Sequence, residues 1–280
     1  MIYDCFPFFN ELDLLEIRLH ELANVVDQFV LVESTRTFQK NPKPLHYELN
    51  KARFKEFEHK ITHIVVDDFP GFFYKFRRPR PWDYSNFQKN KVSEALRSCK
   101  PDDIILISDL DEIPSAQKIN NVKDKQGVFV FQQLLCHFFL NYVAVDAPEE
   151  PSLTKHKEYI YWKGTVMIRF KDFKNFKTTR MMRDRNDDSV IQVMEGGWHF
   201  SSLGDQDNLI QKLKAWEHSK EQPYSYEELI TNPKRLEEII AAGEDVFGRP
   251  YRFKTIPPIG FLPAYLNENL KKFEHLTRTV

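Results

Sequence analysis

Three short runs of mostly apolar residues constrain this chain most: QFVLVE at 28–33, ITHIVV at 61–66 and IILIS at 104–108. Each is strand-length rather than helix-length, and each gives way to polar or acidic residues. The segments between them read as helices. Leu12, Leu15, Leu19, Leu22 and Val26 recur at helical spacing over 11–26, with Asn10 placed to cap the start. A second helix is expected over 50–59 and a third over 84–99. This alternation predicts an α/β fold with a mainly parallel central sheet flanked by helices. Further strands are expected at 127–133, 135–145, 159–170 and about 190–200, further helices at 205–221, 225–231 and 233–242, and then an irregular, proline-rich tail. Ligands of parallel sheets sit beyond the carboxyl ends of the strands. Glu33, Asp67 and Asp109 all fall at such ends.

The stretch PDDIILISDLDEIPSA, residues 101–116, is the most specific of the three. Four apolar residues lead into Asp109, Asp111 and Glu112, and Pro114 is expected to stop the ladder. Period-two alternation would point Asp109 and Asp111 the same way. A pair of carboxylates at a buried strand end suits a hard divalent ion that also holds a phosphate-bearing substrate. The plainer alternative is an acidic loop solvated at a strand end. A phosphotransferase of the haloacid dehalogenase type, with Asp109 as nucleophile, uses the same letters. It normally has Thr where this chain has Ile113, and normally carries the motif near the N-terminus.

Composition narrows the classes. The 280 residues suffice for one large domain or two small ones. A formal charge of −1 offers no general attraction to nucleic acid or anionic membrane. No apolar stretch reaches the roughly 18–20 residues of a membrane span, and the acidic N-terminus does not read as a signal peptide. Cys5, Cys99 and Cys136 are odd in number and far apart, so a disulfide framework is not expected. A reducing, cytoplasmic setting follows as the expectation.

Four other groups stand out. In GGWHFSSLGD (196–205), His199 lies between Trp198 and Phe200 after two glycines, and a neutral imidazole there could complete a metal site; a core histidine bonded to backbone is the plainer reading. The helical segment after it presents Lys212 and His218 to an anionic ligand, or simply to solvent. Glu33 could accept hydrogen bonds from a ribose or base, or lie in a salt bridge. The aromatic, basic stretch at 69–84, with Trp82 and Tyr84, could close over a sugar or serve only packing. No P-loop, dinucleotide, serine-hydrolase or zincin motif occurs.

Several stretches together resemble glycosyltransferase family 17, a family whose animal member adds N-acetylglucosamine to N-glycans. They are NELDLLEIRLHEL, DQFVLVEST, FQKNKVSEAL, PDDIILISDLDEIP, YWKGTVMIRF and GGWHFSSLGDQDNLIQKLKAWEHSKE, in family order over 1–221, with GEDVFGR at 243–249 beyond them. The resemblance implies a GT-A-type nucleotide-diphospho-sugar transferase fold in a single catalytic domain over 1–280. Residues 1–116 would form a nucleotide-binding half and 117–250 an acceptor and metal-completing half, with 251–280 as a C-terminal tail. It further implies a donor such as UDP-N-acetylglucosamine, a glycan or other hydroxyl acceptor, inversion at the anomeric carbon and dependence on Mn²⁺ or Mg²⁺. By motif, Glu33 would hold the nucleoside and Asn90 would face the donor. Asp109 and Asp111 would hold metal and diphosphate, His199 would be the third metal contact, and Lys212 would lie near the diphosphate. His218 and Glu221 fall in the matching HSKE segment without an assigned role.

Inverting transfer needs a base for the acceptor hydroxyl. Glu195, just before the glycine pair, is the candidate, with Asp146 and Glu112 as alternatives. The animal enzyme has an anchor and stem preceding this region, so neither its location nor its acceptor need carry over. A nucleotide-sugar-binding module without turnover is the remaining alternative.

Overall fold

In a computed structural model of the chain we describe residues 1–39, 41–68, 80–204, 232–258 and 260–279. Among them, eleven strands join one sheet: β1 (Ile2–Phe8), β2 (Gln28–Ser34), β3 (Ile61–Val66), β4 (Ile104–Ile107), β5 (Glu112–Pro114), β6 (Val128–His137), β7 (Tyr142–Asp146), β8 (Leu153–His156), β9 (Tyr159–Arg169), β10 (Val190–Ser201) and β11 (Arg252–Thr255). The main path runs β11-β7-β6-β9-β4-β1-β2-β3. β8 pairs with β9, and β10 joins β6 and β5.

The fold is mixed α/β. The mainly parallel expectation holds only for β3-β2-β1-β4, where every pairing is parallel. From β4 onward the sheet turns antiparallel at β9, β6, β7 and β11, and only β10 runs parallel to β6. Parallel neighbours need a crossover of a dozen or more residues, which the first third of the chain supplies. Later in the chain, Lys157 and Glu158 alone link the antiparallel pair β8 and β9, with Lys157 in the left-handed region at φ 55° that such tight turns require. The antiparallel pairing of β4 with β9, by contrast, joins strands far apart along the chain.

Alternate residues of the parallel strands fill two layers. Phe6, Phe29, Leu31 and Leu106 pack with Leu15, Leu19 and Leu22 of helix α1 (Leu12–Leu22) on one face. Cys5, Val30, Val32, Ile105 and Ile107 pack with Val92 and Leu96 on the other. Burial on both faces explains why these strands read as continuous apolar runs rather than alternating ones.

Several expected elements differ. β1, at the centre of the parallel set, was not foreseen, because Asp4 and Pro7 interrupt its apolar pattern. Pro114 does end a ladder, as the last residue of β5 opposite Gly197, though β5 is a separate strand from the 104–107 run. The strand expected at 135–145 is broken between His137 and Tyr142, where Phe138 takes φ 64°. The helix at 50–59 is a 3₁₀ helix over Lys51–Lys60, and that at 84–99 is Pro81–Asn90 followed by two shorter turns. The cap position of α1 is Glu11, without a side-chain cap, so Asn10 does not fill that role. Helix 233–242 is found as Pro233–Ala241, and the tail contains β11 and a helix at Ala264–Glu268. The helices expected at 205–221 and 225–231 lie outside the described residues. Among the described residues, no helix is long and apolar enough to cross a membrane.

Gly197 sits where β10 crosses β5. Its φ is 141°, and a Cβ there would lie 2.2 Å from the Ile113 carbonyl oxygen. Backbone strain and overpacking then act together, so Gly197→Ala should cost roughly 2–4 kcal/mol of stability. A urea midpoint shifted downward in the variant checks this; an unshifted midpoint contradicts the close crossing.

Candidate active site

Asp109 and Asp111 sit in the turn between β4 and β5, and Glu112 opens β5, where it pairs with His199 of β10. Asp109 and Asp111 therefore do not share a face by alternation. The turn is held tightly: the Glu112 amide donates to the Asp109 carbonyl at 3.1 Å, the Asp109 amide to Glu112 Oε2 at 3.1 Å, and the Phe200 amide to the Asp111 carbonyl at 2.8 Å. The last of these ties the turn to β10 beside His199.

The three side chains proposed to share a metal separate into two groups. Asp111 Oδ1 and His199 Nε2 are 3.8 Å apart. Alternation along β10 buries Phe200 and sends Trp198 to donate to the Phe261 carbonyl. His199 instead faces Asp111, with the Trp162 ring 5.0 Å away. Asp109 is engaged by cations, Oδ1 with Lys89 at 2.9 Å and Oδ2 with Arg180 at 2.9 Å. Burial raises its carboxyl, but Arg180 and Lys89 outweigh that and hold it well below the usual carboxylate range. Among the described residues, no group of three or more His, Cys, Asp and Glu side chains forms a metal cage. One carboxylate and one imidazole at this separation could hold a divalent transition ion that takes its remaining ligands from water and phosphate oxygens.

Glu112 is almost fully buried and receives both terminal nitrogens of Arg180, with Trp162 Nε1 donating at 2.6 Å and Arg183 at 3.4 Å. Burial pushes its carboxyl up, but the Arg180 charge and hydrogen bonds prevail and bring it down to about 2. The two aspartate and glutamate charges raise Arg180 in turn, against its own burial. Burial and then the adjacent Arg180 lower Arg183, whose guanidinium lies 4.7 Å over the Trp162 ring. A carboxylate so held is no general base, which removes Glu112 as an alternative for that role.

These groups border a cavity of about 360 Å³ beyond the carboxyl ends of β1, β2 and β4. Arg36, Lys43, Lys89, Arg180, Arg183 and Arg249 line it, against the acids Glu11, Asp109, Asp111 and Glu112. Phe9, Phe38, Trp82 and Trp162 supply aromatic surface. Such a cavity fits a ligand with a dianionic centre and flat or apolar ends.

Most of the remaining sequence candidates among the described residues lie off it. Glu33 is fully buried at the end of β2 and accepts from the His46 and Tyr47 amides. It also pairs with Lys43 at 3.1 Å and His63 at 3.2 Å. It is Lys43, not Glu33, that reaches the cavity. Asn90 Oδ1 accepts from the Lys177 amide at 3.4 Å, at the far end of helix Pro81–Asn90. Glu195 pairs with Lys157 at 2.6 Å and lies off the cavity. The Lys157 hydrogen bond lowers its carboxyl, which weakens it as a base. Asp67 and Asp146 are exposed. Trp82 lines the cavity while Tyr84 is buried. Lys212, His218 and Glu221 lie outside the described residues.

Sequence reasoning missed Arg180 and Arg183. The only local signal was their i,i+3 spacing in TTRMMRD; their acidic partners lie 68 to 71 residues away. Lys89, adjacent to Asn90 in the FQKNK stretch, was also passed over.

The profile of glycosyltransferase family 17 matches residues 1–277. The chain is 24% identical over 95% of its length to the human beta-1,4-mannosyl-glycoprotein 4-beta-N-acetylglucosaminyltransferase, and 24% and 23% identical to the rat and mouse proteins of that name. It spans about half the length of these curated relatives, 53% of the human one. Among solved structures it is similar to HddC from Yersinia pseudotuberculosis (TM-score 0.39, 9% identity, 69% of this chain and 89% of that one). It is also similar to the inositol-1-phosphate CTP transferase from T. maritima (TM-score 0.33, 11% identity, 99% and 97% coverage). Likeness at these scores carries no weight here.

Proposed function

We propose, from the premise that this chain belongs to glycosyltransferase family 17, that it is a GT-A-type inverting transferase. It moves a sugar, N-acetylglucosamine from UDP-N-acetylglucosamine as first choice, onto a hydroxyl of a glycan or similar acceptor. The observation that carries this reading is the cation-lined cavity at the Asp109–Asp111 turn. A nucleoside diphosphate leaves with growing negative charge, and Arg180, Arg183 and Lys89 are fixed before that charge appears. Aromatic faces at the same cavity suit stacking of base and sugar. The curated relatives' name supports the choice of sugar.

A divalent ion fits beside this machinery. Asp111 and His199 would hold it, and when bound it would neutralise the diphosphate oxygens. Asp109, held by Lys89 and Arg180, would then shape the charge around the diphosphate instead of serving as a primary ligand. The family match leaves a phosphotransferase using Asp109 as nucleophile without support, and the two cations on its carboxylate favour the same conclusion.

The test is a thermal-shift screen of nucleotide sugars with and without Mn²⁺, followed by assay of nucleotide release. Binding to the native state at about 100 times Kd adds about 2.7 kcal/mol of stability. UDP-N-acetylglucosamine should therefore raise Tm more than sugars on other nucleotides, and UDP should be released on incubation. If no nucleotide sugar raises Tm or releases its nucleotide, the reading fails.

A further inference from the structure

Helix α1 buries two charged side chains, Glu16 and Arg18, and Arg18 is the one that reaches the Asp109–Asp111 turn. Arg18 and its partner Asp4 on β1 are both fully buried. Arg18 Nε and Nη2 donate to Asp4 at 2.8 and 2.6 Å, and Nη2 also reaches Ser108 Oγ at 2.6 Å. Nη1 is aimed elsewhere: it donates to the carbonyls of Asp109, Leu110 and Glu112 at 3.0, 3.1 and 2.8 Å. The remaining carbonyl of that turn, on Asp111, is taken by the Phe200 amide. All four carbonyls from 109 to 112 therefore have a fixed donor, three of them the same guanidinium.

We infer that Arg18 is a positioning residue for the Asp109–Asp111 turn, with Asp4 holding the guanidinium in place; this rests on the donor-site reading above. A buried ion pair is weak evidence for stability, since apolar residues of similar size often serve as well. What apolar residues do not supply is a planar fork that binds one acid with one edge and a turn of backbone with the other. The turn sets where Asp109 meets Lys89 and Arg180, and where Asp111 meets His199. Rotation of its peptide planes would move both carboxylates relative to the diphosphate. Lysine would keep the charge opposite Asp4 but would not reach three carbonyls as well.

Two variants test this: Arg18→Lys, which keeps the ion pair, and the double variant Asp4→Leu with Arg18→Met, which removes it whole. Amide hydrogen exchange at residues 109–112 should quicken by about tenfold or more in both, while exchange in β2 and β3 stays at the parent's rate. UDP affinity should fall about tenfold or more, with uridine affinity unchanged because uridine lacks the diphosphate. Turnover should fall about 100-fold. Parent-like exchange at 109–112 together with a parent-like ratio of UDP to uridine affinity overturns the inference. Global unfolding of Arg18→Lys also overturns it, by making Arg18 a residue of overall stability. If the parent binds neither UDP nor uridine, the donor reading fails instead, and the exchange comparison still decides the role of Arg18.

Discussion

Asp111→Ala should lower turnover by roughly 10²–10³-fold, the range seen when one fixed electrostatic contact to a transition state is removed. Its melting temperature should stay within about 2 °C of the parent, because the side chain lies outside the packed core. Asp111 borders the cavity, its carboxylate approaches His199, and its backbone carbonyl is held by Phe200 whatever the side chain. Removal therefore takes away a ligand-facing charge without loosening the turn. Asp111→Asn, which keeps the shape and loses the charge, should lose nearly as much. Parallel measurement of kcat and Tm for both variants checks this. Turnover close to the parent's in either would mean that the diphosphate does not depend on this carboxylate.

Legibility in the sequence followed the range over which each feature is determined. β2, β3, β4, β9 and β10 could be read because burial on one or both faces imposes a local pattern, and Ile104–Ile107 is as clear a strand as short runs allow. β1 could not, because Asp4 is tolerated in its core only through Arg18, a partner 14 residues on that no periodicity reveals. Strand direction was hidden for the same kind of reason. That β4 lies against β9 is a pairing some 60 residues apart along the chain, and the parallel rule read from the first third does not extend to it.

The site divides likewise. The acids at 109–112 announce themselves, but what they do depends on cations supplied by other elements. Lys89 comes from a helix before β4, and Arg180 and Arg183 from the short helices Phe176–Arg180 and Met181–Asp184 after β9. Glu112 shows the consequence: as a sequence letter it was an alternative base, and three donors from afar make it a buried anchor instead. Of the two roles the sequence leaves open for Glu33, the structure shows the ion pair, with Lys43 and His63, alongside the amides of a helix start.

Arg180→Met should have the largest combined effect. Breaking a buried ion pair by removing one partner costs about 3–5 kcal/mol, and the residue left behind, Glu112, has a side chain only 1% exposed. Arg183 at 3.4 Å offsets part of this. Turnover should fall with stability, because Arg180 is also a cavity cation fixed near the departing diphosphate. The pH dependence separates the two effects. In the parent, Glu112 is held at about 2 against an ordinary 4.5, so its contribution is full above 4.5 and is lost as pH falls toward 2. In the methionine variant the main cause of that depression is gone, and burial together with the Asp109 charge, opposed only in part by Arg183, raises the carboxyl, so acid relieves the variant while it weakens the parent. The gap between their urea midpoints should therefore narrow between about pH 7 and about pH 4. Adding Glu112→Leu to Arg180→Met should recover part of the stability and none of the turnover, since it removes the stranded charge without restoring the cation. A gap that stays constant with pH would show that Arg180 is not what keeps Glu112 ionised, and the charge arrangement around the turn would have to be rebuilt on Arg183 and Trp162.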